Sequence, residues 1–372
     1  MTQGVSMAYS DQMLRDAAAR TLAEAAPNAA LAQDGEVCAT FAESHWQLAA
    51  EMGWTGIMVP ESHGGLGLCL AEAADIVEEM GAHLFCGPYA LSAVLLPALA
   101  PHFGAVGDTL LRELAEGAVR LGLATTEAQS LSDGRSLLPL VEHAAGASHI
   151  LRLEPGDAGQ SFVLYRMGGA TSQTLQPMDP TTPIASVVLA PDAEIARARC
   201  GHGEAERVLL PIHILTAVEL VGIARAAFER AVAHVRQRKQ FGEVIGRFQA
   251  IKHRLADGFT LLSHARLAVS DAVRRPGDLD ATQIARVIAA DAAMKITADC
   301  IQLHGGMGFS WETDAHFYLK RARRLHASFG GTAALRKRAG DRFIESLLTP
   351  ERAVVSAAGV DGSEVVQCLS TR

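Results

Sequence analysis

Tryptophan is nearly missing from this 372-residue chain: three occur, Trp46, Trp54 and Trp311, and none lies between Trp54 and Trp311. Aromatics make up only 5% of the residues, while apolar residues reach 49%. That describes a globular protein rich in Ala and Leu and mostly helical. Cationic excess is also lacking. The net charge of -8 and pI near 6.0 exclude the basic surface that nucleic-acid binding requires. Paired cysteines are absent too. The six, at 38, 69, 86, 200, 300 and 368, are scattered without metal-ligand spacing, which fits small buried thiols in a reducing compartment. Met1 to Ser10 has neither a basic start nor an apolar run, so a cytoplasmic location is expected. The most lipid-like stretch, Leu84 to Phe103, is broken by Gly87, Pro88, Pro97 and Pro101 and reads as buried helix and turn, not a membrane span.

The length suits two or three domains. Residues 1–115 read as a helical domain, with one helix running through Trp46–Met52 to stop at Gly53. Val59–Gly67 follows as a turn-rich loop. Between 116 and 208, short apolar runs (Val119–Ala124, Ser161–Tyr165, Ala185–Leu189) are separated by Gly, Pro and Asp clusters. This predicts a small middle β domain. After Pro211 the helical period returns. Val221, Phe228, Val232 and Val235 share one face, as do Ile251, Leu255, Leu262 and Val269. A further helix is expected to open at Asp280, with Gln283 completing a capping box and Val287, Met294, Ala298 and Ile301 on its buried side. The fold class is α+β, mostly α: helical domain, β domain, then a four-helix bundle over 209–350, with a loose tail over 351–372.

Four segments, in order, carry a resemblance: Trp54-Thr55-Gly56 with Val59-Pro60-Glu61 and Gly64–Gly67; Asp179-Pro180-Thr181; Arg238-Lys239-Gln240-Phe241-Gly242 with Phe248-Gln249; and Gln302-Leu303-His304-Gly305-Gly306-Met307-Gly308-Phe309. Across roughly residues 15–345 the chain resembles the acyl-CoA dehydrogenases. The resemblance implies FAD as cofactor, an acyl-CoA substrate desaturated between its α and β carbons, and electron-transfer flavoprotein or a similar acceptor. It implies cofactor contacts by Arg238, Gln240, Phe241, Ile245, Phe248, Gln302, Leu303, Gly305 and Gly306, reaching across a dimer interface to FAD seated in the neighbouring subunit. Arg238 would supply a fixed cation for the diphosphate, and the two glycines would let the backbone come close.

Two departures shape the functional expectation. Family members carry Thr-Glu followed by a Gly-Ser-Asp turn, and later a Trp that covers the flavin ring. Here Thr126-Glu127 leads into Ala128–Gly134 without that turn, no Trp follows, and the β domain looks shortened. The catalytic carboxylate of a Tyr-Glu-Gly-Thr turn is replaced within Phe329-Gly330-Gly331-Thr332, where Gly330 stands for the Glu. The alternative base position at the start of the first bundle helix holds Ile212, beside His213, the only ionisable substitute there. Glu219 is expected to face solvent or a salt-bridge partner. The run Lys320, Arg321, Arg323, Arg324 could meet coenzyme A phosphates or form a solvated or interface face. No catalytic residue is therefore assigned. The pattern is similar to the non-catalytic partner in two-subunit acyl-CoA dehydrogenases acting on bulky, steroid-type esters, packed as a heterotetramer. A homomeric dehydrogenase, or a related oxidase or monooxygenase with another base, and a scaffold without FAD, are the alternatives.

Overall fold

A computed structural model describes residues 8–25, 38–156 and 159–348; the expected tail and Cys368 lie outside them. The N-terminal part is helical. Helix α1 (Gln12–Glu24) starts on Asp11, whose carboxylate accepts from Met13 N at 2.8 Å. Helix α2 (Cys38–Glu51) stops as the sequence predicts, with Gly53 at φ 71 turning the chain. Helix α3 (Leu70–Ala82) is buried nearly throughout. A π-helical stretch (Ala90–Leu95) runs into α4 (Leu96–Leu99), then a 3-10 turn (Ala100–Phe103) and α5 (Ala105–Ala115).

The middle part forms one eight-stranded sheet of β1 (Leu121–Ala124), β2 (Gln129–Ser130), β3 (Ser136–Glu142), β4 (His149–Gly156), β5 (Gly159–Arg166), β6 (Thr171–Leu175), β7 (Ile184–Leu189) and β8 (Glu194–Gly201), and the three apolar runs fall in β1, β5 and β7. The order is β6-β7-β3-β1-β4-β5-β8, with β2 paired to β3. Only β1 and β4 run parallel. All four residues of the central β1 are buried, as expected for a strand covered on both faces.

Helix α6 (His202–Gln237) carries Pro211 inside it, so the helical region begins before that proline and not after it. An interior proline costs about 3 kcal/mol. The buried side chains on either side, Leu210, Ile212, Ile214 and Leu215, offset that cost, each worth roughly 1.5–3 kcal/mol when buried. By length and composition α6 could cross a membrane, but 72% of its apolar window is buried in the molecule. It lies against α3, α7 (Gln249–Arg274), α8 (Leu279–His304) and α9 (Ala315–Ala327); α10 (Gly331–Leu348) follows.

Two details correct the sequence pattern. Asp278, not Asp280, caps α8, accepting from Ala281 N at 3.0 Å; Asp280 instead pairs with Arg342 at 2.6 Å. The face of α8 that enters the core is Ala285, Ala289, Ala292, Ala293, Ile296 and Cys300. Met294 only flanks it, and Ala298 is exposed. Small residues rather than large ones mark that seam, because short side chains let helices approach closely. The same logic holds between α3 and α6. A Cβ on Gly81 would lie 2.4 Å from Glu219 O, and one on Gly222 would lie 2.0 Å from Glu78 O.

The basic run on α9 points inward, contrary to a coenzyme A or solvated role for two of its members. The Arg321 guanidinium donates to Thr181 Oγ1 at 2.7 Å, Thr181 O and Phe85 O at 3.0 Å, and Glu219 at 2.7 Å, and lies 3.0 Å from Asp179. Arg324 pairs with Glu142 at 3.0 Å and Asp179 at 3.1 Å. Burial alone would raise the Asp179 carboxyl; Arg321 and Arg324 outweigh it and hold the group below its ordinary value. Arg321→Met should therefore lower unfolding stability by roughly 3–5 kcal/mol, because it strips a buried carboxylate of a partner. Arg321→Lys should fall between the two, keeping charge without the fork. A urea-unfolding loss below about 1 kcal/mol for Arg321→Met would refute this role.

Candidate functional site

The structure separates the expected site residues into two groups. The first is an exposed surface at the C-terminal ends of α6 and α8. These ends are held together by the His234 and His304 rings, stacked with centroids 4.1 Å apart. Arg238 follows the end of α6, and its carbonyl accepts from Ile245 N at 2.8 Å. Between them a two-stranded hairpin, β9 (Lys239–Gln240) and β10 (Glu243–Val244), turns through Phe241 at φ 54 and Gly242 at φ 83. Two positive φ values at a two-residue turn suit the twist of a hairpin, but at Phe241 the left-handed backbone costs roughly 1–2 kcal/mol. Phe241 is 92% exposed and meets Phe248 edge-on at 6.1 Å. An apolar ring held strained in solvent has no folding rationale within the chain. Strain of this kind gathers at functional positions.

Gln302, Gly305 and Gly306 are exposed beside this hairpin, whereas Leu303 points into the bundle core and Ile245 packs partly against it. The glycines divide instructively. A Cβ on Gly308 would lie 2.6 Å from Ile301 O, so this chain's own packing requires that glycine. A Cβ on Gly306 would meet nothing within 4 Å. Its small size serves an approach from outside the chain or nothing. Arg238 makes no side-chain hydrogen bond or ion pair among the described residues. Nearby, Met307, Phe309 and Trp311 are 44%, 73% and 48% exposed, more apolar surface than a free face normally carries. Arg238, Gln302 and the open Gly306 backbone could hold a diphosphate-bearing cofactor, with Phe241 and Phe248 as apolar flanks.

The second group surrounds the Phe329–Gly330 turn, where sheet and bundle meet. Phe329 lines three cavities, of about 60, 480 and 340 Å³. No residue of 238–248 or 302–309 lines any of them. The largest is bounded by Pro155, His202, Glu206, His213, Gly330 and Arg338. The 340 Å³ cavity lies between Leu140 and Glu142 of β3 and Arg324 of α9. No aromatic ring from the sheet faces it, and Glu142 projects a carboxylate into it that is already paired with Arg324. The rest of the lining is largely apolar, with Leu123, Leu140, Met178, Ile184 and Phe329 around the Glu142–Arg324 pair.

Four carboxylates line the cavities, and one of them, Asp179, is held by Arg321 and Arg324. Glu142 and Glu219 are committed to Arg324 and Arg321. Glu206, which the motif comparison passed over, lines the largest cavity and has no ion-pair partner among the described residues. Its only sequence signal is a position seven residues before His213 on one helix face. Gly330 itself is at φ 88, and a Cβ there would meet nothing within 4 Å.

His213 packs edge-on against Phe329 at 5.6 Å, and its Nδ1 is buried without a hydrogen bond. Burial first, then the charges of Arg286 and Arg338, push its pKa down to about 3. A general base works best near neutrality, so this environment opposes the substitute-base role. It also has a consequence for stability. Between pH 3 and about 6.5, the ordinary histidine value, the unfolded state holds a proton there that the folded state lacks. Stability is thus intact above about 6.5 and falls as the pH drops toward 3. His213→Phe should flatten the unfolding-stability curve between pH 6 and 4 relative to the parent chain. An unchanged slope would show that His213 is freely protonated in the fold.

Comparison with known proteins agrees with this architecture. Residues 9–102 match the acyl-CoA dehydrogenase N-terminal domain and residues 205–359 the acyl-CoA dehydrogenase C-terminal domain. The chain is 34% identical over 323 residues to acyl-CoA dehydrogenase IpdE2 of Mycobacterium tuberculosis, covering 84% of this chain and 90% of that protein. It is 27% identical to benzylmalonyl-CoA dehydrogenase of Aromatoleum aromaticum, covering 84% and 91%. Among solved structures, a chain of the ChsE4-ChsE5 complex from Mycobacterium tuberculosis superposes with a TM-score of 0.76 at 22% identity, covering 91% of this chain and 99% of that one. With fold, domain matches and a full-length relative in agreement, the chain belongs to the acyl-CoA dehydrogenase family of oxidoreductases.

Proposed function

We propose that this chain is the partner subunit of a heteromeric, FAD-dependent acyl-CoA dehydrogenase, lending its Arg238–Phe248 and Gln302–Gly306 surface to a flavin seated mainly in a homologous catalytic subunit. The observation that carries the proposal is the split itself. Arg238, Gln302, Gly305 and Gly306 face outward, with no side-chain hydrogen bond from Arg238 or Gln302 among the described residues, while the chain's own crevice carries Glu142–Arg324 and no carboxylate on the 330 turn. FAD, when bound, accepts the hydride that leaves the β carbon of the acyl thioester. This chain's part is to hold and orient: Arg238 as diphosphate cation, Gln302 as hydrogen-bond partner, Gly305 and Gly306 as the close backbone. Similarity to a chain of the Tcur3481-Tcur3483 steroid acyl-CoA dehydrogenase supports a bulky, steroid-type acyl-CoA substrate, and similarity to a chain of the ChsE4-ChsE5 complex supports a two-subunit assembly.

Glu206 favours a second reading. An unpaired carboxylate on the largest cavity could serve as base in a homomeric enzyme that seats its own flavin. The two readings separate on purification. The chain alone should be colourless and inactive, and should gain flavin absorbance only when co-expressed with a catalytic acyl-CoA dehydrogenase subunit. A yellow, active homomer that loses turnover in Glu206→Gln would establish the second reading; a complex without flavin would leave a scaffold.

In the flavin-bearing complex, Arg238→Ala should weaken FAD retention roughly 10- to 100-fold, the equivalent of about 1.5–3 kcal/mol for hydrogen bonds to a charged group. Without flavin, the thermal midpoint of the variant chain should match the parent's, since Arg238 makes no side-chain hydrogen bond or ion pair among the described residues. Normal flavin occupancy in that variant would contradict the assignment.

Gly330→Glu should yield no acceptor reduction with a panel of acyl-CoA esters in the isolated chain. Space for the side chain exists, but φ 88 imposes strain of roughly 1–2 kcal/mol, and on the partner-subunit reading the isolated chain seats no flavin of its own to take the hydride. Robust turnover would overturn the partner-subunit proposal.

A further inference from the structure

Away from both groups, the 3-10 turn Ala100–Phe103 abuts the junction of β8 and α6, and three different side chains converge there. They are His102 from the turn, Cys200 near the end of β8 and Glu204 in the first turn of α6. One ligand atom from each, the His102 ring nitrogen, the Cys200 sulfur and a Glu204 oxygen, lie within 4.8 Å of one another. Cys200 Sγ is 4.0 Å from His102 Nδ1, and that same nitrogen is 3.7 Å from Glu204 Oε1. Cys200 is buried, while the other two are half-open to solvent.

Those separations decide between two explanations. A hydrogen-bonded His–Glu pair would close to about 2.7–3.2 Å, and this one does not. In a tetrahedral zinc site, with sulfur about 2.3 Å and nitrogen or oxygen about 2.0–2.2 Å from the ion, neighbouring ligand atoms are about 3.3–3.7 Å apart. At 3.7 and 4.0 Å, and within 4.8 Å in all, the three atoms stand somewhat wider than that figure, so a bound ion would draw them inward by small side-chain rotations. The donor set, one thiolate, one imidazole and one carboxylate, is borderline-soft and matches zinc better than calcium or magnesium, which take oxygen alone.

We infer that His102, Cys200 and Glu204 form a site for a single zinc-like divalent cation, with water as the fourth ligand. The Cys200 thiol proton would leave to solvent as the sulfur binds. The ligands come from the N-terminal helical region, the sheet and the first bundle helix. A bound ion would therefore cross-link all three parts of the molecule at a point separate from the flavin surface.

The test uses the full chain, tag removed and chelator-treated, titrated with Co²⁺ alone. The expected result is one cobalt per chain with a sulfur-to-cobalt charge-transfer band, displaced by Zn²⁺. That band should vanish in Cys200→Ser and persist in Cys69→Ser, which alters an exposed thiol elsewhere. Glu204→Gln, at a half-exposed position that does not threaten folding, should weaken binding by at least the roughly 10- to 100-fold typical of losing even an outer-shell partner. No charge-transfer band in the parent chain, a band that survives Cys200→Ser, or unchanged affinity in Glu204→Gln would each overturn the site.

Discussion

One guanidinium joins the three parts of this molecule. Arg321, on α9, reaches Phe85 O in the N-terminal region, Asp179 and Thr181 in the loop before β7, and Glu219 on α6. Each contact is with a group that would otherwise be a buried, unanswered dipole or charge, and leaving such a group unpaired costs more than pairing it gains. The constraint therefore works by exclusion. Any arrangement that rotates the sheet away from the bundle leaves Asp179, Thr181 and Arg321 buried without partners. A second buried network does the same between helices. Glu78 of α3 meets Arg15 of α1, Arg225 of α6 and Arg266 of α7, and these arginines keep its carboxyl below the ordinary value despite complete burial.

The cavities inherit their shape from that knot. Arg324, one turn beyond Arg321, carries Asp179 on one side and Glu142 on the other, and so fixes a charged wall in the crevice between sheet and bundle. Arg286, buried on α8, donates to Leu325 O and Ser328 Oγ just before the Phe329–Gly330 turn. Burial lowers its pKa to about 10, and it has no direct carboxylate partner among the described residues. The Phe329–Gly330 turn is thus anchored from beneath, and it carries no carboxylate of its own. The helix-end surface around Arg238 and Gly306 faces outward instead, and Arg238 makes no side-chain hydrogen bond or ion pair among the described residues.

Much of this was legible in the sequence because the signals are local. Helix α2 stops at Gly53 because only a residue without Cβ takes φ 71 cheaply, and the three β runs are short, apolar and bounded by Gly, Pro and Asp as strands are. The absent Trp and the Gly330 replacement could likewise be counted. Other features were hidden by the kind of signal they give. The buried face of α8 is set by alanine size, which a hydropathy period undervalues. Pro211 looked like a boundary because its local cost is large, yet the burial around it is larger and nonlocal.

The sequence by itself determined the fold class, the order of the helical and β parts and the family, since these follow from periodicity, turn residues and motifs read along the chain. Tertiary structure alone decided the fate of the charges. Lys320, Arg321, Arg323 and Arg324 are one basic run on paper. In the fold Arg321 and Arg324 become internal bolts, Lys320 lies over the Trp311 and Phe317 rings, and Arg323 stays exposed. It also brought His102 beside Cys200, 98 residues further on, and the neighbouring Glu204, and it set the Arg238–Phe248 surface apart from the cavities around the Phe329–Gly330 turn. Charge pairing acts over a few ångströms and ignores distance along the chain, so no pattern in the linear sequence records it.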